Sequence, residues 1–258
     1  MKEIGLQIYT VRDKMETPET YLDAMKKVRE IGYTHIQTAG KTGTIEEAVF
    51  YKKCADEAGL RICGTHFPWQ IITEDFDTAL KIHEILGTTN MGIGSLPGDA
   101  RKDITVFNKF IDTVNETAYK LSKHGMKFTY HNHHFDYAKV DGKPMFERMI
   151  DGFDPTNVSF VLDTYWAQYA GCDVRKLIER LAGRIDILHL KDLAVFPDNK
   201  VDITEIGNGN INFADIIPLA EKIGVKDFVV EQDRNFATED SMESIASSYN
   251  YIKANLMK

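Results

Sequence analysis

Residues that could bind a metal ion or carry a proton follow one predicted strand near the middle of the chain. The segment 128–136 places His131, Asn132, His133 and His134 at the end of an apolar run. Alternate side chains of a strand share a face, so His131 and His133 should point one way and Asn132 and His134 the other. Two imidazoles on one face at a strand end suit a metal site or a proton-transfer site. The competing interpretation is a polar strand end whose histidines only hydrogen-bond surface loops.

Other predicted strands end in residues of the same kinds. These are His66 at the third strand, Asp163 at the sixth, His189 and Lys191 at the seventh, and Glu231 and Asp233 at the eighth. Mixed nitrogen and oxygen ligands suit Mn²⁺, Zn²⁺, Co²⁺ or Fe²⁺ better than Ca²⁺. We therefore expect one divalent metal ion as cofactor, with Mn, Zn, Co and Mg as candidates.

Each residue also has an ordinary structural interpretation. Asp163 could cap the turn after its strand, and His189 could be a hydrogen-bonded core histidine. Lys191 could be a solvated charge, and His66 could hydrogen-bond a neighbouring loop. Glu231 directly follows an apolar run and is the hardest to explain by packing. The set as a whole is harder to explain by chance than any one member.

Regular alternation of strands and helices would position these residues. Strands are predicted at 4–10, 33–38, 60–66, 89–95, the apolar run before His131, 158–163, 185–190 and 228–231. Helices are predicted at 18–31, 44–58, 73–86, 103–124, 143–151, 173–182, 211–223 and 239–255. Eight such units favour a single (β/α)8 barrel domain over 1–258, with its active site at the carboxyl ends of the strands. An open doubly wound sheet is the alternative, but the first strand lacks the glycine-rich phosphate turn typical of that fold.

Composition limits the class of protein. The chain has 258 residues, 43% of them hydrophobic and 27% charged, as is ordinary for a globular protein. A net charge of −8 argues against a nucleic-acid partner. Three separated cysteines favour free thiols in a reducing compartment, and no apolar run is long enough to span a membrane. We therefore expect a soluble, cytoplasmic protein.

Several motifs together resemble the xylose isomerase-like TIM barrel family of sugar phosphate isomerases and epimerases. They are Gly5-Leu6-Gln7-Ile8-Tyr9-Thr10-Val11-Arg12-Asp13, Gly64-Thr65-His66, Tyr130-His131-Asn132-His133, Leu162-Asp163-Thr164-Tyr165-Trp166-Ala167, His189-Leu190-Lys191-Asp192, Gly207-Asn208-Gly209 and Val230-Glu231-Gln232-Asp233. The resemblance implies a metal-dependent isomerase or epimerase of carbohydrates. It also implies four metal ligands at the ends of strands five to eight, which here are His131, Asp163, His189 and Glu231.

One of these positions departs from the family pattern. Many members have a glutamate where this chain has His131, so an exchange of the proton between two glutamates is in doubt. His133 could instead be the base or even the strand-five ligand. We expect His133 or Glu231 to move a proton next to a carbonyl group, and Lys191 to neutralise the enediolate that forms.

The remaining predicted site residues would contact a small carbohydrate substrate. They are His66, Trp166 and Asp233, and the face of Trp166 could pack on the sugar, although a core role at the barrel rim suits it equally.

Three rival functions remain open. The first is a lyase, dehydratase or C-glycoside-deglycosylating subunit on the same barrel, acting on a keto-sugar or inosose, in some cases with a second protein. The second is an abasic-site endonuclease, against which the net acidity counts. The third is a sugar-binding protein without catalysis, against which the retention of Asp163, His189, Lys191 and Glu231 as a set counts. Homo-oligomerisation or a second subunit also stays open.

Overall fold

Eight parallel strands form the centre of the protein in the computed structural model, which describes residues 1–40 and 43–257. They are β1 (Gly5–Gln7), β2 (His35–Ala39), β3 (Arg61–His66), β4 (Asn90–Ile93), β5 (Lys127–His131), β6 (Val158–Asp163), β7 (Ile185–Leu190) and β8 (Asp227–Val230). Their order in the sheet is β3-β2-β1-β8-β7-β6-β5-β4. The two outer strands also meet, because the Phe67 N–H donates to the Gly92 carbonyl at 2.7 Å and Asn90 Nδ2 donates to the Cys63 carbonyl at 3.0 Å. The sheet therefore nearly closes, which confirms the predicted (β/α)8 barrel.

Helices cover the outside of this barrel. They are α1 (Pro18–Ile31), α2 (Ile45–Ala58), α3 (Trp69–Glu74), α4 (Phe76–Leu86), α5 (Ile104–Ser122), α6 (Met145–Gly152), α7 (Thr164–Tyr169), α8 (Val174–Arg180), α9 (Phe213–Lys222) and α10 (Ser241–Asn255). Local signals set many of their ends. In α2, Thr44 and Glu47 form a capping box, and Gly59 ends the helix in the left-handed conformation at φ 71°. Among the described residues, no helix is both long and apolar enough to cross a bilayer.

Most predicted elements differ from the structure by one or two residues at an end, and two differ by more. The first strand stops at Gln7, because the Gln7 side chain accepts from the Tyr9 N–H at 3.2 Å and turns the chain into a 3-10 helix, Ile8–Lys14. The predicted helix 73–86 is two helices, α3 and α4. Asp75 separates them, since its carboxylate caps α4 by accepting from the Thr78 N–H.

A hairpin after β7 is absent from the sequence prediction. Its strands Asp192–Val195 and Val201–Thr204 pair antiparallel beside the mouth of the barrel. The buried Asp192 carboxylate accepts from the Gly207 and Gly209 N–H groups at 2.9 and 3.1 Å. These bonds tie the Gly207-Asn208-Gly209 motif to the hairpin, so this motif has a structural role in holding the loop.

Strand alternation divides the core into two parts and places the polar residues. A small apolar cluster consists of Cys63, Val161, Ile187 and Val229, whereas the neighbours of these residues along the strands pack in the main core. Val161 pairs with Ile187 in the sheet, and two residues further on Asp163 pairs with His189. Because side chains two residues apart share a face, Asp163 and His189 form the next layer on the same face as the small cluster, toward the carboxyl ends of the strands.

Candidate active site

Four side chains on neighbouring strands bring their ligand atoms to one point in this layer. His131 ends β5, Asp163 ends β6, His189 lies on β7 and Glu231 follows β8. His131 Nε2 lies 3.3 Å from Asp163 Oδ2 and 3.7 Å from Glu231 Oε2. His189 Nδ1 lies 2.9 Å from Glu231 Oε2 and 3.8 Å from Asp163 Oδ2. All four residues are buried and their ligand atoms lie within 4.8 Å of one another, so the structure brings together the residues expected to hold a metal ion.

In His131 and His189, the ring nitrogen that faces away from the cluster, here called the outer nitrogen, lies next to a hydrogen-bond acceptor. His131 Nδ1 lies 3.0 Å from the Gly94 carbonyl, and His189 Nε2 lies 2.6 Å from Gln37 Oε1. Gln37 Oε1 also accepts from Gln7 Nε2 at 2.9 Å. Acceptors at these positions favour a proton on the outer nitrogen and leave the lone pair of the inner nitrogen directed at the cluster. Gln7 and Gln37 were missed by sequence reasoning, and their only signal was a polar residue within a predicted strand.

The donor set fits a divalent cation. Ligand bonds of about 2.1 Å in tetrahedral geometry would separate the ligand atoms by roughly 3.4 Å. The four nitrogen–oxygen separations, 2.9 to 3.8 Å, lie around this value. Two imidazoles and two carboxylates are the donor types that Zn²⁺, Mn²⁺ and Co²⁺ accept.

Lys191 supplies the positive charge in the cluster. Its side chain is only 1% exposed, and Nζ lies 3.3 Å from Asp163, 3.0 Å from Glu231 and 2.9 Å from Asp233. Burial would lower the pKa of Lys191, but the three carboxylates raise it above its ordinary value. Burial raises the pKa of Asp163 and Glu231, yet the attraction of Lys191 and the histidines outweighs it and holds both below the ordinary range. Lys191 is therefore a buried ammonium ion, and the interpretation as a solvated rim charge is wrong.

Two further imidazoles lie beside the cluster. The ring centres of His66 and His133 are 4.7 and 4.8 Å from that of His131. Burial and the neighbouring His131 lower the pKa of both, that of His133 to about 2, so both rings are neutral. His66 Nε2 and His133 Nδ1 are buried and have no hydrogen-bond partner among the described residues. The Gln7 amide N–H faces His66 Nδ1 at 3.3 Å, so the neutral His66 ring carries its proton on Nε2.

The predicted alternation through His134 ends at His131, where β5 ends. Asp136 accepts from the His133 N–H at 2.8 Å and starts a 3-10 helix, so the next residues no longer alternate. His133 and His134 consequently both pack against Trp166, with ring centres 5.4 and 4.9 Å away. His131 and His133 still face the same pocket, and Asn132 turns to the backbone of Asp163, as expected. His134 departs from the expected pattern, because its ring packs beside His133 on Trp166.

Comparison with known protein families shows to which family the chain belongs. A sequence model described as xylose isomerase-like TIM barrel matches residues 25–248, which is most of the chain. The chain belongs to this family.

The individual proteins to which this chain is similar are 17 to 26% identical to it. An inosose dehydratase from Geobacillus thermodenitrificans is 26% identical over 158 residues, covering 55% of this chain and 52% of the relative. The chain thus spans about half the length of this relative and 28 to 33% of the other inosose dehydratases it matches. A sugar phosphate isomerase/epimerase from Parabacteroides distasonis superimposes with a TM-score of 0.78 and 24% identity over 99% of this chain and 94% of that one. An L-ribulose 3-epimerase gives 0.70 and 17% over 99% and 95%. At these identities the structures show the shared fold.

A pocket opens above the cluster at the carboxyl ends of the strands, where barrels of this kind carry their active sites. Its volume is about 580 Å³, within the usual range for small-molecule sites. We call it the mouth pocket. It is lined by Tyr9, Arg12, Ala39, Gly40, His66, Gly94, Ser95, His131, His133, Lys191, Glu231, Asp233 and Arg234. The pocket lining thus includes His66 and Asp233. Trp166 is 7% exposed and packs against Lys191 and His133, which places it behind the pocket wall.

Proposed function

We propose that this protein is a metal-dependent enzyme that moves a proton next to the carbonyl group of a sugar or related polyhydroxy ketone, with isomerisation or epimerisation as the result. The observation that carries the proposal is the convergence of His131, Asp163, His189 and Glu231 beneath a pocket of small-molecule size. Family membership supports it, because the pocket lies at the carboxyl ends of the barrel strands.

The four convergent residues would hold the metal ion. When bound there, the ion would supply Lewis-acid polarisation of adjacent substrate oxygens. Lys191, fixed by three carboxylates, would place its positive charge next to the oxygen that becomes negative when the proton leaves.

Neutral imidazoles are the proton carriers that the geometry favours. Glu231 Oε2 accepts from Lys191 Nζ at 3.0 Å and would also face the metal ion, whereas the His133 ring lines the mouth pocket and has no partner at Nδ1 among the described residues. We therefore assign the role of base to His133. Burial and His131 lower its pKa to about 2, so this role requires the negative charge that develops on the substrate to raise the pKa of the ring. His66, at the end of β3, could return a proton. His133 and His66 would replace the two carboxylates of a symmetric epimerase. One of those carboxylates is missing here, because His131 stands where many family members have a glutamate.

Dehydration of a keto-sugar or inosose is the second candidate. It begins with the same proton removal and continues with loss of a hydroxyl group from the next carbon. Two observations favour it: the inosose dehydratase relatives and the imidazole at the strand-five position. Because the chain covers only part of those relatives, their activity remains a proposal for this protein.

The test is carbon-bound deuterium exchange in heavy water, followed by proton NMR over a panel of ketoses and inososes. With Mn²⁺, Zn²⁺, Co²⁺ or Mg²⁺ supplied, one substrate should exchange, and an epimer or a dehydrated product identified by mass would separate the two candidates. His133→Gln should slow exchange by about 10²–10⁴-fold. The matched control is His124→Gln, since His124 is exposed on the loop before β5. Absence of exchange with every substrate and ion would contradict the proposal.

A further inference from the structure

Two overlapping groups of side chains could hold a metal ion at the carboxyl ends of the strands. The first is the cluster described above, His131, Asp163, His189 and Glu231. The second consists of His66, His131 and His189, which also bring one ligand atom each within 4.8 Å of one another. Three imidazoles can form a zinc site, so the distances alone do not decide between the two groups. Because the groups share His131 and His189, an ion in one competes with an ion in the other.

The orientation of the buried Gln7 side chain is fixed by the backbone. Its Oε1 accepts from the Tyr9 N–H at 3.2 Å. A backbone N–H can only donate, so the Gln7 oxygen must face it and the NH₂ group must face the other way. That NH₂ group meets two acceptors, Gln37 Oε1 at 2.9 Å and His66 Nδ1 at 3.3 Å. The two hydrogens of one amide group therefore bond to side chains on β2 and β3.

This orientation determines where His189 and His66 carry their protons. Gln37 must present its oxygen to Gln7, and the same oxygen lies 2.6 Å from His189 Nε2. His189 therefore has its proton on Nε2 and keeps a lone pair on Nδ1, which faces the carboxylates of the cluster. The neutral His66 ring also has its proton on Nε2, but its lone pair on Nδ1 faces the NH₂ group of Gln7. The two rings thus share a tautomer and differ in what their lone pairs meet.

Neither nitrogen of His66 is then available to a metal ion. For Nε2 to bind one, the proton would have to move to Nδ1, where it would face the NH₂ group of Gln7. Rotation of the Gln7 amide would not remove this conflict. Its NH₂ group would then face the Tyr9 N–H, and its oxygen would face Gln37 Oε1. Either arrangement leaves buried donors and acceptors without partners, which costs free energy.

We propose that Gln7 is a positioning residue that directs the metal ion to the cluster, because it keeps the lone pair of His189 free and occupies that of His66. The inference rests on the metal site of the proposed function. It also limits what His66 can do there. With its proton on Nε2, the ring can donate a hydrogen bond or a proton, as the proposed return of a proton requires, but it is not a metal ligand.

Nitrogen-15 NMR of the full chain, labelled in its eight histidines, measures the positions of these protons. His66 should show a protonated Nε2 and an unprotonated Nδ1, both in the metal-free protein and with Zn²⁺. In contrast, Zn²⁺ should move the signals of His131 Nε2 and His189 Nδ1, the atoms that face the cluster. His66→Gln identifies the His66 signals. A proton on His66 Nδ1, or coordination of Zn²⁺ by either His66 nitrogen, would overturn the inference.

A matched pair of variants tests the location of the ion by affinity. Glu231 belongs only to the cluster, and His66 belongs only to the three-histidine group. In competition with a chromophoric chelator, Glu231→Gln should lower the affinity for Zn²⁺ about tenfold or more, whereas His66→Gln should change it less than about threefold. The reverse order, losses of equal size, or no binding of Zn²⁺ by the wild type would overturn the inference.

A further variant tests Gln7 itself. Gln7→Leu removes the donor that faces His66, so the His66 signals of the metal-free protein should move from those of one tautomer toward the average of two. Gln70→Leu, at an exposed position of α3, should leave them unchanged. If Gln7 had only a structural role, Gln7→Leu would lower the free energy of unfolding without moving the His66 signals, and that result would overturn the inference.

The inference and the proposed function can fail separately. Coordination of Zn²⁺ by His66 would exclude this role of Gln7, but metal-dependent proton transfer would still be testable by deuterium exchange. Absence of exchange with every substrate and ion would contradict the proposed function. The position of the His66 proton is measured without substrate, so it does not depend on that result.

Discussion

Gln37 tests whether the cluster is a metal site held by its neighbours. Its Oε1 lies 2.6 Å from His189 Nε2, and both side chains are completely buried. Gln37→Leu keeps much of the side-chain volume but removes the acceptor. No other acceptor lies within hydrogen-bond distance of that nitrogen among the described residues. The proton would then be free to occupy Nδ1, the atom that faces the cluster, and His189 would lose its ligand lone pair.

The expected loss of metal affinity is about 10–100-fold, the usual effect of removing the partner of a ligating histidine. This corresponds to about 1.4–2.7 kcal/mol. Gln7 Nε2 also loses its 2.9 Å bond to Gln37, so the metal-free protein should unfold more easily by about 1–3 kcal/mol. Competition with a chromophoric chelator measures the affinity for Zn²⁺ and Co²⁺, and urea unfolding in EDTA measures the stability.

The matched control is Gln70→Leu, at an exposed position of α3, which should change neither quantity by more than about 0.5 kcal/mol. Gln37→Glu is informative in addition, because a carboxylate still accepts from His189 and should preserve most of the affinity. If Gln37→Leu binds metal as tightly as the wild type, the assignment of the inner nitrogen of His189 as a ligand is refuted.

Two other predictions concern buried charge. Lys191→Met leaves Asp163 and Glu231 without their ammonium partner. The free energy of unfolding in EDTA should therefore be about 3–5 kcal/mol lower than that of the wild type. In urea titrations, excess Mn²⁺ should raise the free energy of unfolding of this variant more than that of the wild type. An equal increase would contradict the view that Lys191 and a metal ion both neutralise Asp163 and Glu231. Burial lowers the pKa of His83 to about 4 from 6.5, so the unfolded chain takes up the proton first as the pH falls. Relative to His83→Gln, the wild type should therefore lose about 3 kcal/mol between pH 6.5 and 4, and parallel stability curves would refute this.

The strands that carry the site were predictable because their sequences are nearly continuous apolar runs. The bounds of β6 and β7 agree with the prediction, since strands covered on both faces leave little ambiguity. Once parallel strands end at one edge, alternation alone places Asp163 and His189 in the same layer. The candidate ligands could therefore be grouped from sequence, although their roles remain predictions.

Contacts between distant segments could not be predicted. Gln37 meets His189 across 152 positions of the chain, and no local pattern distinguishes it from any polar strand residue. The hairpin after β7 depends on Asp192, whose partners are backbone N–H groups of a later loop. His133 leaves the strand because Asp136 caps its N–H, and a histidine at that position is not among the common helix-capping residues.

The balance of charge gives the strongest physical reason to expect a cation in the cluster. Asp163 and Glu231 are almost completely buried and Asp233 lies beside them, while Lys191 is the ammonium group that meets all three. Burial of unpaired carboxylates is costly, and each would otherwise shift its pKa upward and become neutral. The pKa of Asp233 is indeed raised, by burial and by the repulsion of Glu231, although Lys191 acts in the opposite direction. A divalent ion would supply the two positive charges that a single lysine cannot, and it would leave Lys191 available to interact with the substrate.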